Sequence, residues 1–171
     1  MTYGDYISSL QLPPLITPLI VAKIILRESS GNPFAYRYEE EFFEQYLRGK
    51  SKEQLAGYVP PLKLVSLDSE LHGRAASWGD MQTLGDTARC MGFEGLFFTE
   101  LCDPKQSILY GVRYLNHLVR ILGGKGGATL SRVLLKYNGG RDLKYPEKVL
   151  RIEDLQAEEL LRRGIGFAFA A

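Results

Sequence analysis

Cysteine, histidine and tryptophan are scarce in this chain, and each scarcity removes a class of function. Its 171 residues include two cysteines, two histidines and one tryptophan. Cys90 and Cys102 have no metal-ligand spacing, and two thiols make no disulfide framework, so free, partly buried thiols are expected. His72 and His117 stand apart from any cysteine or HExxH-like context, which predicts no metal and no cofactor. An excess of one charge is also missing. Twenty-one Lys and Arg face 20 Asp and Glu, for a net charge of +1, which gives no argument for nucleic acid or anionic lipid as a partner. Long hydrophobic runs are lacking too. Residues 10–26 are apolar but contain Pro13, Pro14, Pro18 and Lys23, and fall short of the roughly 20 residues of a membrane span. The opening "MTYGDY" has no basic n-region, so no secretory signal is expected.

What is present is an ordinary globular composition, 45% hydrophobic and 24% charged. The length suits one domain over residues 1–171 with a core of its own, and a monomer is expected. Thr17 and Pro18 read as a helix N-cap and first position. That helix runs to about Ser29, with Gly31 as a left-handed stop and Asn32-Pro33 blocking continuation. It is apolar nearly all round, which marks it as central. "YRYEEEFFEQYLRG" reads as a second helix with Tyr38, Phe42, Phe43, Tyr46 and Leu47 inward. A shorter helix follows from Ser51, and another lies in "PLKLVSLDSELHG". Further helices are expected from Leu84 or Gly85 to Met91, from Asp103-Pro104 to Gly123-Gly124, over "ATLSRVLLKYNGG", and over residues 145–163. Tyr145 is read there as helix-start packing. Period-two alternation is rare, so the fold class is all-α with little or no β-sheet. "GGKGG" reads as a short connector, and "GIGFAFAA" as either a docking tail or disorder.

One residue is out of place in this pattern. Glu28 falls on the stripe of Val21, Ile24 and Ile25 at the end of the apolar helix. Burial and the negative end of the helix dipole both disfavour the anion and raise its pKa. A carboxylic acid kept protonated near neutral pH is what general-acid cleavage of a glycosidic bond requires. The alternative is a boundary glutamate bonded to a nearby amide.

Three ordered motifs weigh against that alternative. Glu28, Ser29, Gly31, Asn32 and Pro33 form the first. Gly79, Asp80, Met81 and Gln82 form the second, and Tyr137, Asn138 and Gly140 of "KYNGG" the third. With the intervening "TARCMGF" and "DPKQSILYGVRYLNHL", the chain resembles the lytic transglycosylases of the soluble, goose-type-lysozyme-like superfamily over residues 15–149. The resemblance implies a compact lysozyme-like helical fold with a cleft, and cleavage of peptidoglycan glycan strands between N-acetylmuramic acid and N-acetylglucosamine. It implies that Glu28 protonates the bridging oxygen and then takes the proton of the muramoyl C6 hydroxyl, closing a 1,6-anhydro ring. One carboxyl group does both jobs, unlike the pair of most glycosidases. It further implies that Tyr137 orients Glu28, and that Ser29, Gly79, Met81, Gln82 and Asn138 support the site or the sugar.

The chain departs from the family pattern in two places. Asp80 replaces an apolar residue, and reads either as a solvent-facing loop residue or as a second carboxylate that holds a water. An insert over residues 34–74 separates the first two motifs, as in phage and prophage members. Within it Glu39 is a candidate for facing the site, a first-turn glutamate being the alternative. Trp78 suits core packing and sugar stacking equally. The expected protein is therefore a wall-degrading enzyme acting in the periplasm without a signal of its own: a phage endolysin released from the host cytoplasm, or a virion-associated lysin. A hydrolytic muramidase using Asp80 or Glu39, and a glycan binder that does not cut, are the competing readings.

Overall fold

A computed structural model describes residues 1–124 and 127–166. Parts of "GGKGG" and "GIGFAFAA" therefore lie outside the described residues. The chain forms two compact units, residues 1–31 with 112–171, and residues 32–111.

In the first unit, α1 (Tyr3–Ser9) opens with a capping box in which Thr2 and Asp5 exchange backbone and side-chain bonds. α2 (Pro18–Ser29) begins as expected, the Thr17 hydroxyl accepting from the Ile20 amide at 3.3 Å. Its Val21, Ala22, Ile24 and Ile25 are fully buried, each worth about 1.5–3 kcal/mol for the larger side chains. α7 (Leu130–Tyr137), α8 (Tyr145–Leu150) and α9 (Asp154–Arg162) complete this unit. The single helix expected over residues 145–163 is thus two. Ile152 and Glu153 break it, and Glu153 takes an extended conformation before α9. α9 packs on α1 and α2. Buried Lys23 pairs with Asp154 at 2.6 Å, and the Tyr3 amide donates to the Arg163 carbonyl at 3.0 Å.

The second unit carries the small sheet. β1 (Tyr36–Tyr38), β2 (Ala76–Trp78) and β3 (Thr83–Leu84) run antiparallel in the order β1-β2-β3, with Tyr36 opposite Trp78 and Arg37 opposite Ser77. The second expected helix is corrected accordingly. Tyr36–Tyr38 is an exposed edge strand, and the helix starts only at α3 (Glu40–Phe42). It continues as a π-turn over Phe43–Leu47, closed by the Arg48 amide on the Phe43 carbonyl at 2.8 Å. The wider turn buries Phe43 and Leu47 but leaves Tyr46 exposed. The helix expected from Ser51 shrinks to one 3₁₀ turn, and the one in "PLKLVSLDSELHG" begins late, as α4 (Leu67–Arg74) capped by Ser66. α5 (Gly85–Cys90) lies where expected. α6 (Pro104–Gly123) carries the chain out of this unit, burying Ile108, Val112, Leu115 and Leu118 at helical spacing.

The insert is held by charges that periodicity did not reveal. Glu70 and Arg74 are 0% exposed and Arg89 is 1% exposed. The Glu70 carboxylate accepts from Arg74 Nε at 2.8 Å and from Arg89 Nε and Nη2 at 3.0 and 2.9 Å. Arg74 also donates to the Ala56 and Tyr58 carbonyls, each at 2.7 Å. Buried backbone acceptors without secondary structure need such donors, so the irregular segment is pinned by a guanidinium.

Candidate active site

Glu28 sits on the last turn of α2, half-buried beside the fully buried Ile24 and Ile25. The helix ends at once. Ser30 and Gly31 take left-handed conformations, φ 56° and 72°. A Cβ at Gly31 would lie 2.8 Å from Arg163 Nη2, and that nitrogen donates to the Gly31 carbonyl at 2.8 Å. Ser29, expected to support the site or the sugar, caps this turn. Its hydroxyl donates to the Ile25 carbonyl and accepts from the Gly31 amide, both at 3.1 Å.

The group brought onto Glu28 is Tyr145. Its hydroxyl donates to Glu28 Oε1, and the side chain is 2% exposed. Burial first, then the charge of Glu28 and the neighbouring Tyr137, hold the Tyr145 phenol far above its ordinary pKa. It is a neutral donor throughout the working range. Tyr145 opens α8 and packs there as expected, and the bond to Glu28 is an addition that the expectation did not contain. A signal existed, since a buried tyrosine hydroxyl needs a partner. Only the fold could say which one.

The third motif is what delivers Tyr145. α7 ends at Tyr137, and Gly139 and Gly140 follow at φ 75° and 78°. Their amides return to the Lys136 and Leu135 carbonyls at 3.0 and 2.9 Å, the kind of stop that glycine permits. Asn138 Oδ1 then accepts from the Asp142 amide at 3.3 Å, and the Asp142 carbonyl accepts from the Tyr145 amide at 2.9 Å. Asn138 is thus a loop brace. Lys148, bonded to Asp142 at 2.6 Å, holds that carboxyl below its usual range, with Arg27 adding to the effect. Tyr137 packs on Tyr114, ring centroids 5.6 Å apart.

In the second unit, the 79–82 loop is a tight cradle. Gly79, at φ 70°, leaves no room for a Cβ, which would meet the Leu101 carbonyl oxygen at 2.2 Å. The Met81 amide donates to Ser107 Oγ at 3.0 Å, and Met81 itself is fully buried. Gln82, a non-glycine residue at φ 46°, donates from Nε2 to the Ala35 and Gly79 carbonyls at 2.9 and 3.0 Å. Asp80 is not solvent-facing: it is 0% exposed, and its charge adds to the burial that pushes the Cys102 thiol up. Glu39 precedes α3 instead of lying on its stripe. It accepts from Arg37 Nε at 2.6 Å and from Ser77 Oγ at 3.5 Å. Trp78 is half-buried, its Nε1 donating to the Gly73 carbonyl at 2.9 Å and its ring stacked on Phe98.

A match to one known family spans both Glu28 and Tyr145. The model of the transglycosylase SLT domain matches residues 5–146. The chain belongs to that family. SLT-domain proteins are lytic transglycosylases, lyases that cleave glycosidic bonds of peptidoglycan, and their fold is lysozyme-like and helical. This SLT-domain protein therefore has peptidoglycan as its substrate and the cell wall as its place of action. No curated protein and no solved structure matches the chain. No helix among the described residues is long and apolar enough to cross a membrane.

Proposed function

We propose that Glu28 is the sole acid and base of a lytic transglycosylase reaction at the β-1,4 bond between N-acetylmuramic acid and N-acetylglucosamine. The Glu28 carboxyl gives its proton to the bridging oxygen as the C1–O bond breaks. The muramoyl C6 oxygen then bonds to C1, and its hydroxyl proton passes to the Glu28 carboxylate. The acid is restored, water is not consumed, and the product ends in a 1,6-anhydro ring. The observation that carries this reading is the Tyr145–Glu28 bond. A neutral phenol donating to the carboxylate fixes its rotamer and favours the anion once the first proton has left, while the apolar wall of Ile24 and Ile25 favours the acid before it leaves. Tyr137 supports the pair from α7. Gly79, Met81 and Gln82 shape sugar binding through the backbone of their loop, and Trp78 contributes its ring. A hydrolytic reading with a second carboxylate has little support: Asp80 is buried and Glu39 is tied to Arg37.

The test is the mass of the products from purified sacculi. Anhydro-muropeptides one water lighter than hydrolysis products are expected, and Glu28→Gln releases none. Water-containing products would replace this reading by a muramidase. As to delivery, the reading is a phage lysin, endolysin or virion-borne. Cells expressing it as an endolysin stay intact until the inner membrane is permeabilised, and then lyse; lysis without permeabilisation would remove that assignment.

A further inference from the structure

The exposed apolar surface is of two kinds. In residues 1–31 and 112–166 the exposed large hydrophobics are aliphatic, as at Met1, Ile121 and Leu143. Among the described residues, every Phe, Tyr or Trp with more than a third of its surface open lies in residues 32–111, and four of the five fall in one short run: Phe34, Tyr36, Tyr38 and Tyr46. Tyr36 and Tyr38 alternate along β1 and so share one face of the sheet. Tyr36 is 55% exposed, yet it is not a loose side chain. Its ring meets Trp78, its register partner, edge-on at 4.8 Å. Tyr38 lies nearly parallel to His72, centroids 5.9 Å apart.

We propose that Tyr36 and Tyr38, backed by Trp78 and His72, form a stacking subsite for N-acetylhexosamine rings of the glycan strand; this rests on the reading of the protein as a peptidoglycan-cleaving enzyme. Rigid aromatic faces with hydroxyl edges suit the C–H face of a sugar. Of the charges beside them, Arg37 is paired with Glu39 and Arg48 with Glu44, and Glu40 adds negative charge near Tyr38. An uncharged ligand therefore fits this face better than an acidic peptide. β1 is an edge strand, so one row of its peptide groups is open to hydroxyl and acetamido groups. The platform is also continuous with the family's second motif. The Ala35 carbonyl, next to Tyr36, accepts from both the Gly79 amide and Gln82 Nε2 at 2.9 Å.

The experiment uses the full chain carrying Glu28→Gln and peptide-free N-acetylglucosamine tetramers and hexamers. Trp78 is the sole tryptophan, so a saturable change in its emission reports binding at the platform, and calorimetry gives the affinity of variants that alter the emission themselves. Tyr36→Ala is expected to weaken binding about tenfold and Tyr38→Ala severalfold, while Tyr36→Phe keeps most of it. In the active enzyme Tyr36→Ala raises KM for sacculi far more than it changes kcat. Unaltered circular dichroism and melting of the variants exclude misfolding. Equal affinities across the series overturn the proposal, as does failure of the Glu28→Gln chain to bind the oligosaccharides. Concentration-dependent self-association that Tyr36→Ala abolishes, with sugar affinity intact, makes this face a contact between copies and overturns it as well. Loss of anhydro products from the wild type would sink the enzymatic reading, and the oligosaccharide titration reads the platform independently of that outcome.

Discussion

Residues 32–111 hold Glu70 between two buried arginines, whereas the other unit gives Glu28 the hydroxyl of Tyr145. Both carboxylates sit on helices against apolar neighbours. Glu70 lies between two guanidiniums whose other N–H groups go to backbone carbonyls and, from Arg74, to Asp86 Oδ1 at 2.7 Å, so it is a structural tie whose removal leaves Arg89 without its carboxylate partner. Glu28 is half-exposed and receives a donor that is itself uncharged. The role of a side chain follows from the group across from it: two guanidiniums make Glu70 a tie between segments, while Glu28 faces a single uncharged phenol.

The substitution expected to separate the two most widely is Glu28→Gln. It should lower kcat on sacculi by about 10³-fold or more, with a denaturant midpoint close to that of the wild type; substantial residual activity would move the acid elsewhere. Glu70→Gln should do the reverse. Breaking a buried pair on one side costs about 3–5 kcal/mol, read as a lower midpoint in urea, and a loss under 1 kcal/mol would show that the network is solvated. Tyr145→Phe comes next. It should lower kcat by roughly tenfold and move the alkaline limb of the pH–rate profile to higher pH, because a donor that favours the anion is gone. An unchanged profile would reduce Tyr145 to packing.

The smallest effect appears in alkali. Burial and the Glu28 charge raise the Tyr145 pKa above its ordinary 10.0. The native state therefore keeps a proton that the unfolded chain loses, and the corresponding stability is complete below pH 10 and falls as pH rises beyond it. The slope for one group is about 1.4 kcal/mol per pH unit. The wild type should lose its stability advantage over Tyr145→Phe above pH 10, as measured by urea unfolding at several pH values. A constant advantage would mean that Tyr145 ionises normally.

Helix ends and apolar periods were legible wherever the signal was local. Thr17-Pro18, Gly31, Asp103-Pro104 and the paired glycines after Tyr137 all mark boundaries that the fold keeps. The insert was misread because its pattern is not periodic. A three-residue edge strand and a π-turn break the stripe from Tyr38 to Leu47, and the register partners of that strand lie 38 to 42 positions away. The buried triad was invisible for the same reason. Glu70 and Arg74 look like an ordinary surface pair four residues apart, and nothing near them announces Arg89.

The sequence by itself determined the helical class, the placement of Glu28 on an apolar stripe and the abrupt end of its helix, since caps, glycines and periodicity act over a few residues. The three ordered motifs also pointed to the family. Only the tertiary structure decided where each motif residue sits and what it bonds. Tyr145 met Glu28 across 117 positions, Ser29 and Asn138 became braces, and Asp80 went inside. Hydrogen-bond donors and burial are assigned by packing of distant segments, and no local rule carries that information.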